Sequence, residues 1–575
     1  MFLATFESGT FMLTCDGLGN ILSGNTILLT ITGMVDFTAL NVFNKCLIQP
    51  ILSSFSSVNP IYIWDGTSTP RPAAGNPPGT GGGFGGAESS LGTGWIDVGI
   101  HKYAVSFITS TGFTTPPGPC DVMNVGPSGA GPAQASNPGT FSPVSVNSTG
   151  NNKVTLTGIP IGPTGTVARQ ILCTQADQNL FYFAPGGFIG DNVTTTVELN
   201  FYDTDLAVSA DLLFDLLTSL PGAEFQGGMA KYHGRTFIIG ENDLVRASNP
   251  GDCESFSNVD GYIQLPSEND GNFVRGACVL QDLLYFTKGV GIFSVTDNAG
   301  SPSGWPIVIT DGGCGSFYFG IETISSSQAS LSTAQTILLS DGGGLYAFNG
   351  VVQRPALTWK IDDFWKSIGL GNLPYVNVVL DPFQLVFYVF IGAGPLTGTL
   401  LVGDYTEGLN EQQIKWSIYS FTGIVPTAIG IANFNDTIDF NYYFRVGTAA
   451  QGMFKLVPDL THDHNAFLNI AINSYYSTFY ATVSPGALTL FRHVRMRVLG
   501  EGSMSLQIFS EDKTLNYAAP NPWTLVPSPG KDYDMPINFF NEKGTLYFGT
   551  NAVDEFFTAQ RVDLFSSVQN QMRPL

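Results

Sequence analysis

IYIWDG (61–66) is the stretch that decides the fold, because variants of it recur as VGIFSV (290–295), GLYAFNG (344–350) and QGMFKLV (451–457). Each combines glycine, an apolar residue, an aromatic and a polar turn, which reads as a strand running into a tight hairpin. Between them lie further strand pairs: MAKYHGRTFIIGENDLVRAS (229–248), ACVLQDLLYFTKG (277–289), TILLSDGGGLYAF (336–348), VNVVLDPFQLVFYVFIG (376–392) with TLLVGDY (399–405), and PTAIGIANF (426–434) with YYFRVG (442–447). They repeat about every 40 to 50 residues, the period of four-stranded propeller blades, which bury their faces by stacking on one another. One blade before residue 75 and about five after 225 make a β-propeller of about six blades, split by an insertion.

Working outward, RPAAGNPPGTGGGFGGAESSLGTG (71–94) has few side chains to pack and reads as a linker. HKYAVSFITSTG alternates Tyr103, Val105 and Phe107 with Ala104, Ser106 and Ile108. With KVTLTGIP, VARQILCT and NLFYFAP it forms a sandwich of immunoglobulin or fibronectin type III size. LAVSADLLFDLLTSL (206–220) gathers Leu206, Leu213, Leu216, Leu217 and Leu220 near one helical face, with Asp205 as N-cap and Pro221 as stop. DDFWKSIG (362–369) is a second helix candidate. After 466, segments such as LTLFRHVRMRVLG, SMSLQIFS and TLYFGT alternate as strands of a closing β-sandwich. The expected order is N-terminal strands and a first blade (1–75), linker (76–94), inserted fibronectin/Ig-like domain (95–206), helical connector (207–221), remaining blades (222–465) and C-terminal β-sandwich (466–575).

Composition supports an all-β protein. The 43 Phe, 21 Tyr, 67 Gly and 34 Pro are the residues of short strands and tight turns. With 43% hydrophobic and 12% charged residues, the chain has ample surface to bury, so wholesale disorder is excluded. A formal charge of −22 argues against gripping a phosphate backbone, which needs clustered Lys and Arg. An acidic wall would let a duplex slide, while the same charge also serves plain solubility. MFLATFESGTFMLT lacks a basic n-region and carries Glu7, and no apolar run reaches the roughly 18 to 20 residues of a spanning helix, so no membrane insertion is expected. The seven cysteines (Cys15, Cys46, Cys120, Cys173, Cys253, Cys278 and Cys314) are scattered without a CxxC, and are expected reduced and mostly buried.

His462-Asp463-His464, with Asp459 near, lacks a third spaced metal ligand. Asp311-Gly312-Gly313, Asp341-Gly342-Gly343-Gly344 and Asp404-Tyr405 read as turns, since the DxDxDG spacing of a calcium loop is missing. GTGGGFGG (79–86) lacks the Lys-Ser/Thr of a phosphate loop. There is no GxSxG and no HExxH, so no catalytic, cofactor or metal residue is assigned and the chain is expected not to be an enzyme. A carboxylate pair for sugar hydrolysis leaves no motif and stays open, because a propeller can gather Asp and Glu at its centre. In FRHVRMRV (491–498) strand period two puts Val494, Met496 and Val498 on one face and His493, Arg495 and Arg497 on the other. That basic stripe either meets an acidic neighbouring subunit or is a solvated face neutralised nearby.

The order of these parts, with GIHKYAVSFITSTG opening the insertion, HGRTFIIGENDLVRASNPGDCESFSNV (233–259), DLLYFTKGVGIFSV (282–295) and a C-terminus ending QNQMRPL, resembles the tail-nozzle or tail tubular protein B family of short-tailed bacteriophages. The resemblance implies a virion tail protein, assembled in the host bacterial cytoplasm, forming a ring with copies of itself, commonly sixfold. Such a ring sits below an adaptor ring with other tail proteins, and double-stranded DNA passes through it without sequence-specific binding. The alternatives are a lectin-like propeller adhesin that offers loops such as Trp64-Asp65 to a glycan, and a glycan-degrading propeller enzyme.

Overall fold

The computed structural model describes residues 2–16, 18–24, 26–52, 61–73, 78, 84–89, 94–118, 122–123, 134–135, 142–146, 153–206, 228–240, 243–257, 259–266, 273–324, 336–381, 385–419, 426–432, 441–446, 453–456, 462–465, 468–471, 474–477, 489–509, 515–518, 523–525, 531–541, 545–550 and 556–568. The chain is all-β, with many antiparallel sheets and few helices.

Seven sheets are antiparallel meanders whose strands pair in sequence order. The first holds Phe2–Phe6, Gly9–Cys15, Asn20–Ser23 and Thr26–Thr30. The second holds Met34–Val42, Lys45–Leu52, Tyr62–Trp64 and Arg71–Pro72. The third opens with Met229–Tyr232, the fourth with Val274–Leu280, the fifth with Ile321–Ile324, the sixth with Val376–Asp381 and the seventh with Pro426–Ala432.

The opening strand of each sheet lies beside that of the next: Phe2–Phe6 by Met34–Val42, that strand by Met229–Tyr232, and Met229–Tyr232 by Val274–Leu280. A helical turn, Tyr318–Gly320, carries the path from the fourth sheet to the fifth, whose opening strand lies by Val376–Asp381. Val376–Asp381 lies by Pro426–Ala432, which returns to Phe2–Phe6, so the circuit closes and is propeller-like. Instead of one such sheet before residue 75 there are two. The first, over residues 2–30, was expected only as N-terminal strands.

Hydrophobic burial holds successive sheets together. Ala4, Phe6 and Leu13 pack with Phe37, Ile48 and Trp64 between the first two sheets, and Phe237 and Val245 pack with Phe286 and Trp305 between the third and fourth. Between the fifth and sixth, Leu338 and Leu345 meet Phe387 and Val389, with Trp365 from the helix Asp362–Ile368 inserted among them. Each such side chain contributes about 1.5–3 kcal/mol by leaving water. The 362–369 helix candidate is therefore found, and it ends at Gly369 in a positive-φ cap (φ 80°).

The insertion is a two-layer sandwich. A four-stranded sheet, ordered Ser142–Val146, Gly99–Thr109, Thr166–Thr174 and Phe181–Ile189, shares one core with a three-stranded sheet of Thr196–Leu199, Lys153–Thr157 and Gly85–Ser89. Tyr103, Val105 and Phe107 sit in that core as their alternation predicts. The expected linker is corrected here: Gly85–Ser89 pairs along Lys153–Thr157, because ladder hydrogen bonds need backbone and not side chains. The helix expected over 206–220 lies outside the described residues beyond Leu206. A short helix, Asp203–Leu206, begins two residues before the expected N-cap Asp205.

In the C-terminal region the strand Thr489–Phe509 runs 21 residues and is the hub of a seven-stranded sheet. Its first half pairs with Lys531–Asn541 and Phe556–Val568, its second with Thr545–Thr550 and Leu515–Ala518. Among the described residues no helix is long and apolar enough to cross a membrane.

Candidate functional site

A group of ionisable side chains gathers where opening strands of the ring begin. Asp36 and Arg275 lie near the starts of theirs, Glu322 is second on its own, and Tyr318 and Tyr375 sit in the links just before opening strands. The turn Tyr318–Gly320 touches Val274–Leu280, Val376–Asp381 and the turn Leu370–Tyr375, so these starts meet on one face at the centre. Burial pushes the Glu322 carboxyl up to about 7, against the Thr323 amide, which donates to it at 3.1 Å. Burial also raises Asp36, opposed in part by the Phe37 amide (2.8 Å). Both carboxylates keep partial exposure while being hemmed in by neighbouring strands. The Tyr318 hydroxyl is held well above its usual range, first by burial and then by the charge of Asp36, while Arg275 works the other way. The Arg275 guanidinium stands 5.0 Å from the Phe317 ring centre.

Beside this mouth a cleft of about 850 Å³ runs between the fourth and fifth sheets, lined by Arg275, Lys288, Phe293, Phe317 and Asp341 among others. Lys288 is occupied, bonded to Asp243 at 3.0 Å and to the Pro266 carbonyl at 2.5 Å, with Lys288 and Asp243 both buried, so it clamps the third sheet to the fourth. Ser340 also lines the cleft, and its buried hydroxyl has no partner among the described residues.

A second polar constellation joins three parts of the chain. Glu254, fully buried, accepts from Arg71 at 2.7 Å and from the Thr111 hydroxyl at 2.6 Å, with Lys45 at 3.7 Å. Arg71 also donates to the Thr109 hydroxyl (2.7 Å) and the Pro72 carbonyl (2.8 Å). Arg71 belongs to the second sheet, Thr109 and Thr111 to the insertion, and Glu254 to the loop after the third sheet's third strand. Phe113 of the insertion packs beside them on Ile63, Ile238, Cys253 and Phe256. Sequence reasoning missed this junction; its only trace was NPGDCESF as a distinctive loop.

The expected site residues fall as follows. In the basic stripe Val494, Met496 and Val498 are buried and Arg495 and Arg497 exposed, as period two requires. Arg495 pairs with Asp534 at 2.9 Å, and Asp532 lies opposite Arg497 in the ladder. The side chains of His493, His462, Asp463 and His464 lie outside the described residues, as does Asp459. Asp311, Asp341 and Asp404 accept from the amides of Gly313 (2.8 Å), Gly343 (2.8 Å) and Thr406 (2.9 Å), which is turn chemistry. Trp64 is corrected as a glycan-contacting residue: it is 3% exposed, packed on Phe6 and Phe11, and its indole donates to the Ser68 carbonyl (2.7 Å). Cys46, Cys253, Cys278 and Cys314 are buried free thiols, pushed up to about 12 by that burial.

The chain matches no family model and no curated protein. Among solved structures it is similar to an exo-β-1,3-galactanase from Phanerochaete chrysosporium (7% identity, 98% of this chain and 99% of that one, TM-score 0.17). It is also similar to a glycoside hydrolase family 43 arabinoxylan arabinofuranohydrolase from Bacillus subtilis (8% identity, 73% and 93%, TM-score 0.15). A third is PorZ, a surface component of the type-IX secretion system of Porphyromonas gingivalis (10% identity, 99% and 75%, TM-score 0.23). None of these three is a tail protein. The expectation that the chain is not an enzyme is corrected against them, since two of the three are glycoside hydrolases. The missing GxSxG and HExxH motifs do not bear on hydrolysis by a carboxylate pair, which leaves no such motif. Superpositions this loose transfer no residue, substrate or activity to this chain.

Proposed function

We propose that this chain is a split seven-bladed β-propeller with an inserted fibronectin-like domain, working as a ring-forming subunit of a short-tailed phage tail. The observation that carries this reading is the interrupted circuit. The chain leaves the ring after its second sheet, builds a sandwich, and returns, with the sandwich pinned to both sides of the gap through Arg71 and Glu254. That order, with long C-terminal sheets after it, is the one the nozzle resemblance implies. The partners would be copies of the same chain, an adaptor ring and other tail proteins, with DNA passing through the assembled ring in the virion. The test is the mass of the purified protein together with the DNA content of particles made without it. A discrete ring and particles that lose their DNA support the reading; a monomer together with particles that keep their DNA defeats it.

A second reading rests on a different observation, the raised carboxyls of Asp36 and Glu322 near the starts of two opening strands. A carboxyl held near neutrality can donate a proton to a glycosidic oxygen, with a second carboxylate as its partner. On this reading the chain is a propeller that binds and cleaves a glycan. Release of reducing ends from β-1,3-galactan or arabinoxylan, abolished in Glu322→Gln, supports it. Absence of release from a broad polysaccharide panel removes it.

A further inference from the structure

The turn Tyr232-His233-Gly234-Arg235 of the third sheet faces the turn Gln281-Asp282 of the fourth. His233 is held by carboxylates from two separate segments: Nδ1 lies 2.8 Å from Asp297 Oδ2 and Nε2 lies 2.7 Å from Asp282 Oδ1. Deprotonated carboxylates only accept, so both contacts are hydrogen bonds only when both ring nitrogens carry protons. The neutral ring would set a nitrogen lone pair against a carboxylate oxygen at one of these distances. The imidazole is stacked on Tyr232 (ring centres 3.9 Å apart, 14° between planes), and the Tyr232 hydroxyl donates to the Asp282 carbonyl at 2.9 Å. Tyr232 is itself wedged edge-on against Trp305.

The backbone on both sides is constrained. His233 (φ 45°), Gln281 (φ 50°) and Asp282 (φ 62°) all occupy the left-handed region, which a non-glycine residue keeps only when its surroundings hold it there.

We propose that Tyr232-His233 with Asp282 and Asp297 forms a proton-dependent latch between the third and fourth sheets, closed on the imidazolium and released when His233 is neutral. The charged groups bearing on it are Asp282, Asp297 and Arg235, whose own charge acts on Asp297 and Asp260. The bonds to Asp297 and Asp282 hold His233 above its usual range. A group so raised contributes stability that is complete below its unfolded value near 6.5 and lost as pH rises through its folded value. The latch thus tightens toward acid and loosens toward alkali. This inference is independent of both functional readings.

The test uses the full chain labelled at histidine Cε1, with the His233 signal assigned by its loss in His233→Asn, a residue that tolerates left-handed backbone. Hydrogen exchange of peptides covering 229–240 and 277–300 is followed in parallel across the same pH range, normalised for intrinsic rates. The latch predicts a His233 midpoint above 6.5 and protection of both turns that falls several-fold through that midpoint. In Asp282→Asn/Asp297→Asn the midpoint returns toward 6.5 and the pH dependence of protection disappears. A wild-type midpoint at or below 6.5, or protection that changes with pH equally in wild type and the double variant, overturns it.

Discussion

Replacing Arg71 with Met should loosen the insertion from the ring. Met fills much of the space of the aliphatic stem and removes the guanidinium from a carboxylate that is fully buried and 2.7 Å away. Breaking a buried ion pair by removing one partner costs about 3–5 kcal/mol, because the charge that stays behind is poorly solvated. Here the Thr111 hydroxyl at 2.6 Å and the Lys45 ammonium at 3.7 Å still face Glu254, which places the loss at the lower end, about 3 kcal/mol. For a cooperative unit of about 150–250 residues each kcal/mol moves the melting midpoint by about 2–4 °C, so the shift should be roughly 6–12 °C. The double variant Arg71→Met/Glu254→Leu removes the stranded charge and should recover more than half of that loss. Calorimetry measures both, and limited proteolysis between 94 and 118 reports whether the insertion is the part released. If Arg71→Met melts within about 1 °C of wild type, or no lower than the double variant, the junction does not work as a charge-satisfied pin.

Further consequences follow from other contacts. Lys288→Met strands Asp243 between the third and fourth sheets, and chemical denaturation should show a loss of about 3 kcal/mol, reduced in Lys288→Met/Asp243→Leu. Trp365→Ala opens a cavity between the fifth and sixth sheets, where the indole is 1% exposed, and should cost about 3–5 kcal/mol in the same assay. Glu322, raised by burial from 4.5 to about 7, contributes stability that is complete below pH 4.5 and lost as pH rises through about 7. Glu322→Gln should therefore flatten the pH dependence of the melting midpoint across that window, and an unchanged slope would show that its carboxyl titrates normally. Arg495→Ala should change stability by less than about 1 kcal/mol, since its pair with Asp534 is exposed on both sides. A change in oligomer mass in that variant would show instead that the stripe meets another subunit.

Strands and turns were legible because their causes are local. TILLSD and GLYAF are short apolar runs on either side of a glycine turn, and Asp341 caps that turn through an amide two residues away, all within one stretch of chain. The alternation at 494–498 gave the correct buried face for the same reason. Gly85–Ser89 was misjudged because its pairing comes from backbone alone, which composition cannot signal.

By itself the sequence determined that this chain is made of antiparallel strands and where an insertion interrupts them, since side-chain alternation and turn residues act over a few positions. Tertiary structure alone decided that seven sheets close a circuit, that Arg71 meets Glu254 across 183 positions, and that Asp36 and Arg275 both bear on Tyr318. Burial and electrostatics depend on distance in space, and the strands' order in the chain does not encode how far around a ring two of them come to rest.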